Sequence, residues 1–513
     1  MISRNLEIGE FLRLSFEQFR DLPAIWLGGQ TVSYAGLYAD AATLASTILE
    51  TTKPGEPIGV LAQRSYPAYV GVLAALLSGR PYVPINMKFP FERQVDIASI
   101  ARCRLLVWDE QSKRRCDELL QILEPGVRES TASLPDRPNN SPDFHDGRFT
   151  GAGSNVAYIM FTSGTTGAPK GVAVRRENLS AYLTAIAEIA PIEPGTRCTQ
   201  NFDLSFDLSV HDIFQTWASG GCLYVMGNED ALDPVGFAKR HALQAWFSVP
   251  SVVAMARRLR RLQPDALPDM RLSLFCGEPL PASIADDWAQ TAPSSRILNL
   301  YGPTEATIAI TAEEYDRSAA SDARPATIPL GKPFRNSAAV VVDSEGRPAP
   351  LGELWLGGAQ ISNGYINNDK ENQAKFVNRR VPGYTFDRWY RTGDLVQQDD
   401  RHGLVFQGRM DDQAKIQGYR VELLEIEEVL RRASGTTEAA AVLWPVSETG
   451  AAEGVVGFVC AAAGAERDII ANCRAHLPSY AVPRKIMAIE ALPLNANGKV
   501  DRNALRKTYL AGK

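Results

Sequence analysis

Residues 158–174, YIMFTSGTTGAPKGVAV, place a loop rich in hydroxyls and glycine between two hydrophobic runs. Clusters of Gly, Ser and Thr between strand-like runs are ordinarily turns. This one offers the hydroxyls of Thr162, Ser163, Thr165 and Thr166, the glycines Gly164 and Gly167, and Lys170 just behind Pro169. Glycine lets backbone N–H groups turn toward an anion, hydroxyls donate to phosphate oxygens, and a lysine is a point charge for the same oxygens. The composition suits a cradle for the polyphosphate of a nucleotide. It is not the usual P-loop, which requires G-x-x-x-x-G-K-[ST]; here Lys170 is followed by Gly171.

Further stretches suit nucleotide chemistry, though each also has a plainer structural reading. NLYGPTEATIA (299–309) follows a strand-like run and offers Tyr301 as a flat face, Thr304 as a hydroxyl and Glu305 as a hard oxygen ligand for Mg²⁺; Gly302-Pro303 alone reads as a strand-end turn. YRTGDL (390–395) sets Asp394 behind a Thr-Gly turn, where one carboxylate can accept both ribose hydroxyls or simply cap a turn. FDLSFDLSVHDIF (202–214) spreads Asp203, Asp207 and Asp212 among apolar residues, as the acidic start of an amphipathic helix would. PLNANGKVDRNAL (493–505) holds Lys499 in an Asn-Gly turn, otherwise a hairpin with a solvated lysine.

Stepping outward, PIGVLAQ, GRPYVPI, RLLVWDE, AWFSVP, RLSLFCG and SRILNLYG read as strands, and AYVGVLAALLSG as a helix between two of them. This βαβ rhythm predicts an α/β fold with largely parallel sheets, whose ligands collect at the carboxyl ends of the strands. GELWLGGAQISNGYIN reads as β-rich. After it, FQGRMDDQAKIQGYRVELLEIEEVLRRA predicts a polar turn, a strand pair around Gly418 and an amphipathic helix with Leu423, Ile426, Val429 and Leu430 on its apolar face. A boundary near Asp411 divides a large lobe, 1–410, from a small α+β lid, 411–513.

The 513 residues are 45% hydrophobic and 22% charged, with a formal net charge of −5, an ordinary globular composition. No basic block stands out, so nucleic acid is not an expected partner. The N-terminus has no long apolar core and YPAYVGVLAALLSG is too short to span a bilayer, so a membrane role is not expected either. The 7 cysteines are scattered without C-x-x-C pairs, which fits a reducing cytoplasm and no structural zinc.

Taken together and in order, FTSGTTGAPKGV, SFDLSVHDIF, FCGEPL, NLYGPTEATIA, GELWLGG, YRTGDL, GRMDDQAKIQGYRVELLEIE and PLNANGKVDR resemble the adenylate-forming enzymes. More narrowly, they resemble the amino-acid adenylation domains of nonribosomal peptide assembly and their stand-alone relatives. The resemblance covers almost the whole chain. It implies a two-step reaction: a carboxylate attacks the α-phosphorus of ATP, giving an acyl-adenylate and pyrophosphate, and a thiol then attacks the acyl carbon and releases AMP. It implies ATP and Mg²⁺ as cofactors. By motif, Thr162 to Gly167 with Lys170 bind the β- and γ-phosphates, and Asn299, Tyr301 and Gly302 meet the adenine. Asp394 meets the ribose with Arg409 nearby, Thr304 the α-phosphate and Glu305 the magnesium. Lys499 bridges the α-phosphate and the substrate carboxylate as the catalytic cation; a cation there is most effective as charge builds in the transition state. No general base is needed, because a carboxylate is already ionised at neutral pH. The lid rotates between the half-reactions about Asp411, bringing Lys415 and Gly418 to the site for thiol transfer.

Asp207 matches the family aspartate that pairs with an α-ammonium group, which favours an amino acid over a fatty or aryl acid; a buried carboxylate needs a cationic complement. The remaining pocket positions carry over as Leu208, His211, Ser248, Leu274, Cys276, Gly277, Leu300 and Ile308. The aliphatic residues argue for a small side chain. FDLSV, SVPS and FCGE resemble the D-alanine–carrier protein ligases, where a cysteine at the place of Cys276 contributes to chirality selection; a buried small hydrophobe is the plainer role. His211 departs from the apolar residue common there, and Phe406 from a tyrosine frequent in peptide-synthesis domains. Alanine, glycine, serine and an unusual small amino acid all remain open. With no carrier motif after Lys499, the thiol is expected in trans, on the phosphopantetheine of a separate carrier protein. Two alternatives stand beside this reading: a ligase serving coenzyme A or another small acceptor, and a nucleotide-binding module that no longer turns over.

Overall fold

Short β-branched and aliphatic runs fold here as strands because both of their faces are covered, while the longer amphipathic segments cover them. The computed structural model describes residues 8–61, 63–131, 143–147, 154–163, 169–318, 325–411, 413–416, 418–446, 452–460, 464–494 and 500–511.

Two mixed sheets form the body of the large lobe. In the 9-stranded sheet, Leu272–Phe275 lies between Ala245–Ser248 and Arg296–Tyr301, all parallel. The 6-stranded sheet runs parallel through Arg128–Thr131, Leu105–Trp108, Ile58–Leu61, Tyr82–Pro84 and Val156–Thr162, then closes antiparallel with Lys170–Arg175. The expected helix is Tyr66–Leu77, buried along almost its whole length. It lies within one apolar core shared with both sheets, alongside Val60, Val107 and Val172 of one and Leu223, Phe247 and Leu274 of the other.

A third sheet is antiparallel throughout, built from Ser337–Val342, Leu351–Gly358, Phe376–Asn378, Arg388–Asp399 and Gly403–Arg409. Only one of its strands was plain in the sequence.

Beyond it comes the small lobe. The hairpin Gln413–Ile416/Tyr419–Glu422 leads into the helix Leu423–Ser434, and the strands Ala439–Leu443, Val455–Cys460 and Lys485–Ile489 form a separate sheet. Leu423, Ile426 and Leu430 are buried on the helix face predicted for them, while Val429 is only partly covered. No helix among the described residues is long and apolar enough to cross a membrane. All the cysteines are free and buried.

Candidate active site

The carboxyl ends of the parallel strands open on a cavity of about 570 Å³, bounded on its other side by the lid hairpin. Thr162, Ser163, Asp207, Leu208, Cys276, Gly277, Asn299, Leu300, Tyr301, Gly302, Thr304, Asp394, Arg409, Lys415 and Gly418 all line it. Residues from six regions of the sequence thus meet in one place.

The hydroxyl-rich loop begins where Thr162 pairs in register with Lys170 across two antiparallel strands. Ser163 Oγ donates to the carbonyl of Arg420 at 2.8 Å. Lys170 is buried, with Nζ 3.0 Å from Glu371 Oε2. Gly164, Thr165, Thr166, Gly167 and Lys499 lie outside the described residues.

Arg296–Tyr301 delivers the next group. Asn299 Nδ2 donates to the carbonyls of Ile328 and Pro329 at 3.1 and 2.8 Å. The Tyr301 hydroxyl donates to Asp394. Asp394 also accepts from Arg409 Nη1 at 2.7 Å, and Arg409 reaches on to both oxygens of Asp411 at 2.9 and 2.7 Å. The ribose candidate is therefore a paired carboxylate, tied through Arg409 to the hinge candidate Asp411, not a lone one. A Cβ on Gly302 would lie 2.6 Å from Ala309 Cα, so the strand-end turn closes on itself only with glycine there.

Glu305 has no exposed surface. Arg420 of the lid places Nη1 2.9 and 3.1 Å from its two oxygens, and Tyr365 donates to it. Burial alone would raise this carboxyl, but Arg420 and Tyr365 outweigh it and hold the group below its ordinary range. An ionised carboxylate is the donor class that magnesium takes together with substrate phosphates and waters, but Glu305 does not line the cavity and Arg420 occupies both its oxygens, so it could hold the ion only once Arg420 withdraws. Among the described residues no three or more His, Cys, Asp or Glu converge as a metal site on their own.

Asp207 precedes the helix Leu208–Ala218. Burial pushes its carboxyl up to about 6, against the hydrogen bond from Thr304; Glu305 raises it further and Lys415 lowers it. Among the described residues no cation lies within salt-bridge distance of it. Behind it, His211 is buried, and burial lowers it to about 3, so the ring is neutral. Its Nδ1 shares a 2.7 Å hydrogen bond with the Tyr182 hydroxyl, and its ring meets Phe247 edge-on at 4.6 Å. Ser248 Oγ is spent on Trp246 Nε1 at 2.9 Å and the Val249 carbonyl at 3.0 Å. His211, Ser248, Leu274 and Ile308 are buried and do not line the cavity, which stops at Leu208, Cys276 and Leu300. Burial pushes the Cys276 thiol up to about 12. Of the other acids in this stretch, Asp203 pairs with Lys88 at 3.4 Å and accepts from the Tyr419 hydroxyl at 3.2 Å. Asp212 is fully buried, which raises its carboxyl well above the usual range.

The lid hairpin comes close. Gly418, at φ +84°, would place a Cβ 2.6 Å from Val249 Cγ1. Tyr419 stacks on Phe206 at 5.4 Å and on Tyr480 at 4.1 Å. Arg93 and Glu425 form a buried ion pair between the lobes at 2.5 Å. Arg420, Tyr365, Glu371, Glu278 and Tyr182 were not singled out from the sequence. A lone arginine in GYRVE and the acid in FCGEPL were the available signals.

The sequence profile described as AMP-binding enzyme matches residues 12–366, and that of the AMP-binding enzyme C-terminal domain matches 425–499. The D-alanine--D-alanyl carrier protein ligase of Bacillus licheniformis is 30% identical over 496 residues, covering 93% of this chain and 94% of that protein. Malpinin synthetase of Mortierella alpina is 31% identical over 515 residues, but these are 95% of this chain and only 6% of that protein. The Vibrio cholerae adenylation domain AlmE, solved in complex with glycyl-adenosine-5'-phosphate, superposes with a TM-score of 0.88 at 32% identity, covering 99% of this chain and 98% of that one. The chain belongs to the AMP-binding, adenylate-forming enzyme family, among relatives of the amino-acid-activating, carrier-protein ligase type.

Proposed function

We propose that the chain activates a small amino acid as its aminoacyl-adenylate and passes it to the phosphopantetheine thiol of a separate carrier protein. The observation that carries the reading is Asp207: an acid buried in the cavity with no ion-pair partner among the described residues, whose natural complement is an α-ammonium group. The short cavity supports a small side chain, since Cys276, Leu208 and Leu300 close it before the deeper positions are reached. The D-alanine ligase and the glycyl-adenylate complex among the relatives point the same way.

In this reading the ammonium group pairs with Asp207 and aims the substrate carboxylate at the α-phosphate. Asn299, Tyr301 and Gly302 flank the adenine. Asp394, oriented by Tyr301 and Arg409, accepts the ribose hydroxyls. The loop of Thr162 to Gly167, with Lys170, holds the β- and γ-phosphates, and Thr304 the α-phosphate. Glu305 would hold Mg²⁺, which neutralises phosphate charge when bound. Lys499 neutralises the two anions as they meet. The carboxylate oxygen bonds to the α-phosphorus and the bond to pyrophosphate breaks. In the second step the sulfur bonds to the acyl carbon, the bond from that carbon to the phosphate oxygen breaks, AMP departs, and the thiol proton passes to solvent. A lid hinged at Asp411, with Lys415 and Gly418 against the cavity, suits that second step; residues 1–410 and 411–513 serve as core and lid.

The test is amino-acid-dependent exchange of labelled pyrophosphate into ATP, with both enantiomers of the proteinogenic amino acids and several plain carboxylic acids. Exchange with glycine, alanine or serine is expected. Exchange only with a plain acid would overturn the reading.

A further inference from the structure

Glu278 faces the cavity and has no part in the chemistry above. It follows Gly277, whose φ of +89° bends the chain after the strand Leu272–Phe275. The residue is 6% exposed. On the core side, Oε2 accepts the Ser251 amide at 2.9 Å and Oε1 accepts the Ser251 hydroxyl at 3.1 Å, in the first turn of the helix Pro250–Arg258. On the lid side, Gly418 and Lys415 line the same cavity as Glu278, and both act to lower its carboxyl.

Its surroundings make a socket. Val249, immediately before that helix, lies where a Cβ of Gly418 would intrude, so the hairpin turn seats against Val249, two residues before the Ser251 that holds Glu278. Burial raises the Glu278 carboxyl above its ordinary range; the bonds from Ser251 and Gly418 and the nearby Lys415 pull it back. Other charged groups facing this hairpin include Asp207, which also senses Lys415, Glu305, bound by Arg420, and Asp203, which accepts from the Tyr419 hydroxyl. A carboxylate fixed to the core through Ser251 and set beside the Gly418 turn is placed to register the hairpin.

We propose that Glu278 is a positioning residue for the second half-reaction: tied to the core through Ser251, it docks the Gly418 turn of the lid and so sets the path by which the acceptor thiol reaches the acyl carbon. This rests on the two-step reading above.

The experiment uses the full chain, with pantetheine as the thiol probe. Glu278→Ala, Glu278→Gln and Ser251→Ala are compared with the unaltered protein in two assays: pyrophosphate exchange, and single-turnover transfer from preformed aminoacyl-adenylate to the thiol. Glu278→Ala is expected to lose at least tenfold in transfer while exchange falls less than threefold. Glu278→Gln, which retains an amide-accepting oxygen, is expected to recover part of the transfer rate, and Ser251→Ala to lose a smaller part of it. If Glu278→Ala does not fold, Glu278→Gln decides by the same split. Equal loss in both assays, or undiminished transfer, overturns the role of Glu278. Absence of exchange in the unaltered protein instead overturns the amino-acid reading beneath it.

Discussion

Arg420 Nη1 stands 2.9 Å from Glu305 Oε1, joining residues that are 115 positions apart and belong to different lobes. The pair is buried, so each charge depends on the other. Breaking such a pair by removing one partner costs about 3–5 kcal/mol. Arg420→Met is therefore expected to weaken lid docking, seen as at least a tenfold slower thiol transfer and faster trypsin cleavage near Asp411. Unchanged cleavage and transfer would show that the pair does not hold the lid.

Asp207 sets a pH dependence. The ammonium group binds the ionised carboxylate, whose pKa is about 6 before substrate arrives. KM for the amino acid is expected to rise about tenfold per pH unit below 6 and to level off above 7. Asp207→Ala should abolish amino-acid-dependent exchange. The stability sign is opposite: the folded state holds this proton more tightly than the unfolded chain, so stability from this group is present at low pH and lost as pH rises through 6. Asp207→Asn is therefore expected to raise Tm at pH 8, by an amount corresponding to roughly 1–3 kcal/mol.

Lys499 supplies the positive charge of the first half-reaction in the proposed mechanism. Lys499→Ala is expected to slow pyrophosphate exchange about 10²–10³-fold, on the scale of removing one preorganised electrostatic contact. Transfer from preformed adenylate should be affected far less. Exchange at the unaltered rate would remove Lys499 from the mechanism.

Gly418→Ala carries two penalties. The left-handed backbone disfavours any side chain by about 1 kcal/mol, and the new methyl meets Val249 Cγ1 at 2.6 Å. Thiol transfer is expected to fall at least tenfold with exchange preserved, measured on the same adenylate.

The hydrogen-bonded His211 and Tyr182 stand behind the short pocket. His211→Gly deepens it, and exchange with valine or leucine is expected to appear while exchange with the native substrate drops. A panel still confined to small amino acids would place the size limit at Cys276, Leu208 and Leu300 alone.

The strands were legible because their signal is local. RLSLFCG and SRILNLYG alternate or run apolar over four to six residues and end in polar turns, and they became Leu272–Phe275 and Arg296–Tyr301. The helix Leu423–Ser434 was visible for the same reason. The candidate site was legible as a set of motifs; many of their described residues line one cavity, while Lys170, His211, Ser248, Leu274, Glu305, Ile308 and Asp411 lie outside its lining. What stayed hidden was who partners whom. Asp394 looked like a solitary acid, yet Tyr301 and Arg409 hold it, from a neighbouring sheet and an adjacent strand. His211 looked solitary, yet its partner Tyr182 lies on the separate helix Arg176–Ile189. Periodicity reports which face of an element is covered, not which side chain of another element covers it. The antiparallel third sheet stayed hidden likewise, since register across long connections leaves little trace in local composition.

The buried cysteines have a practical corollary. Burial pushes Cys103, Cys116, Cys198, Cys222 and Cys276 up to about 12 and Cys473 up to about 11, and Cys460 is raised as well. Alkylators and disulfide reagents react with the thiolate, so the buried thiols of the folded protein are expected to react slowly at neutral pH. Ellman's reagent added to samples withdrawn from a transfer reaction is therefore expected to count the acceptor's sulfhydryl, and the fall in that count follows acyl loading without a radiolabel.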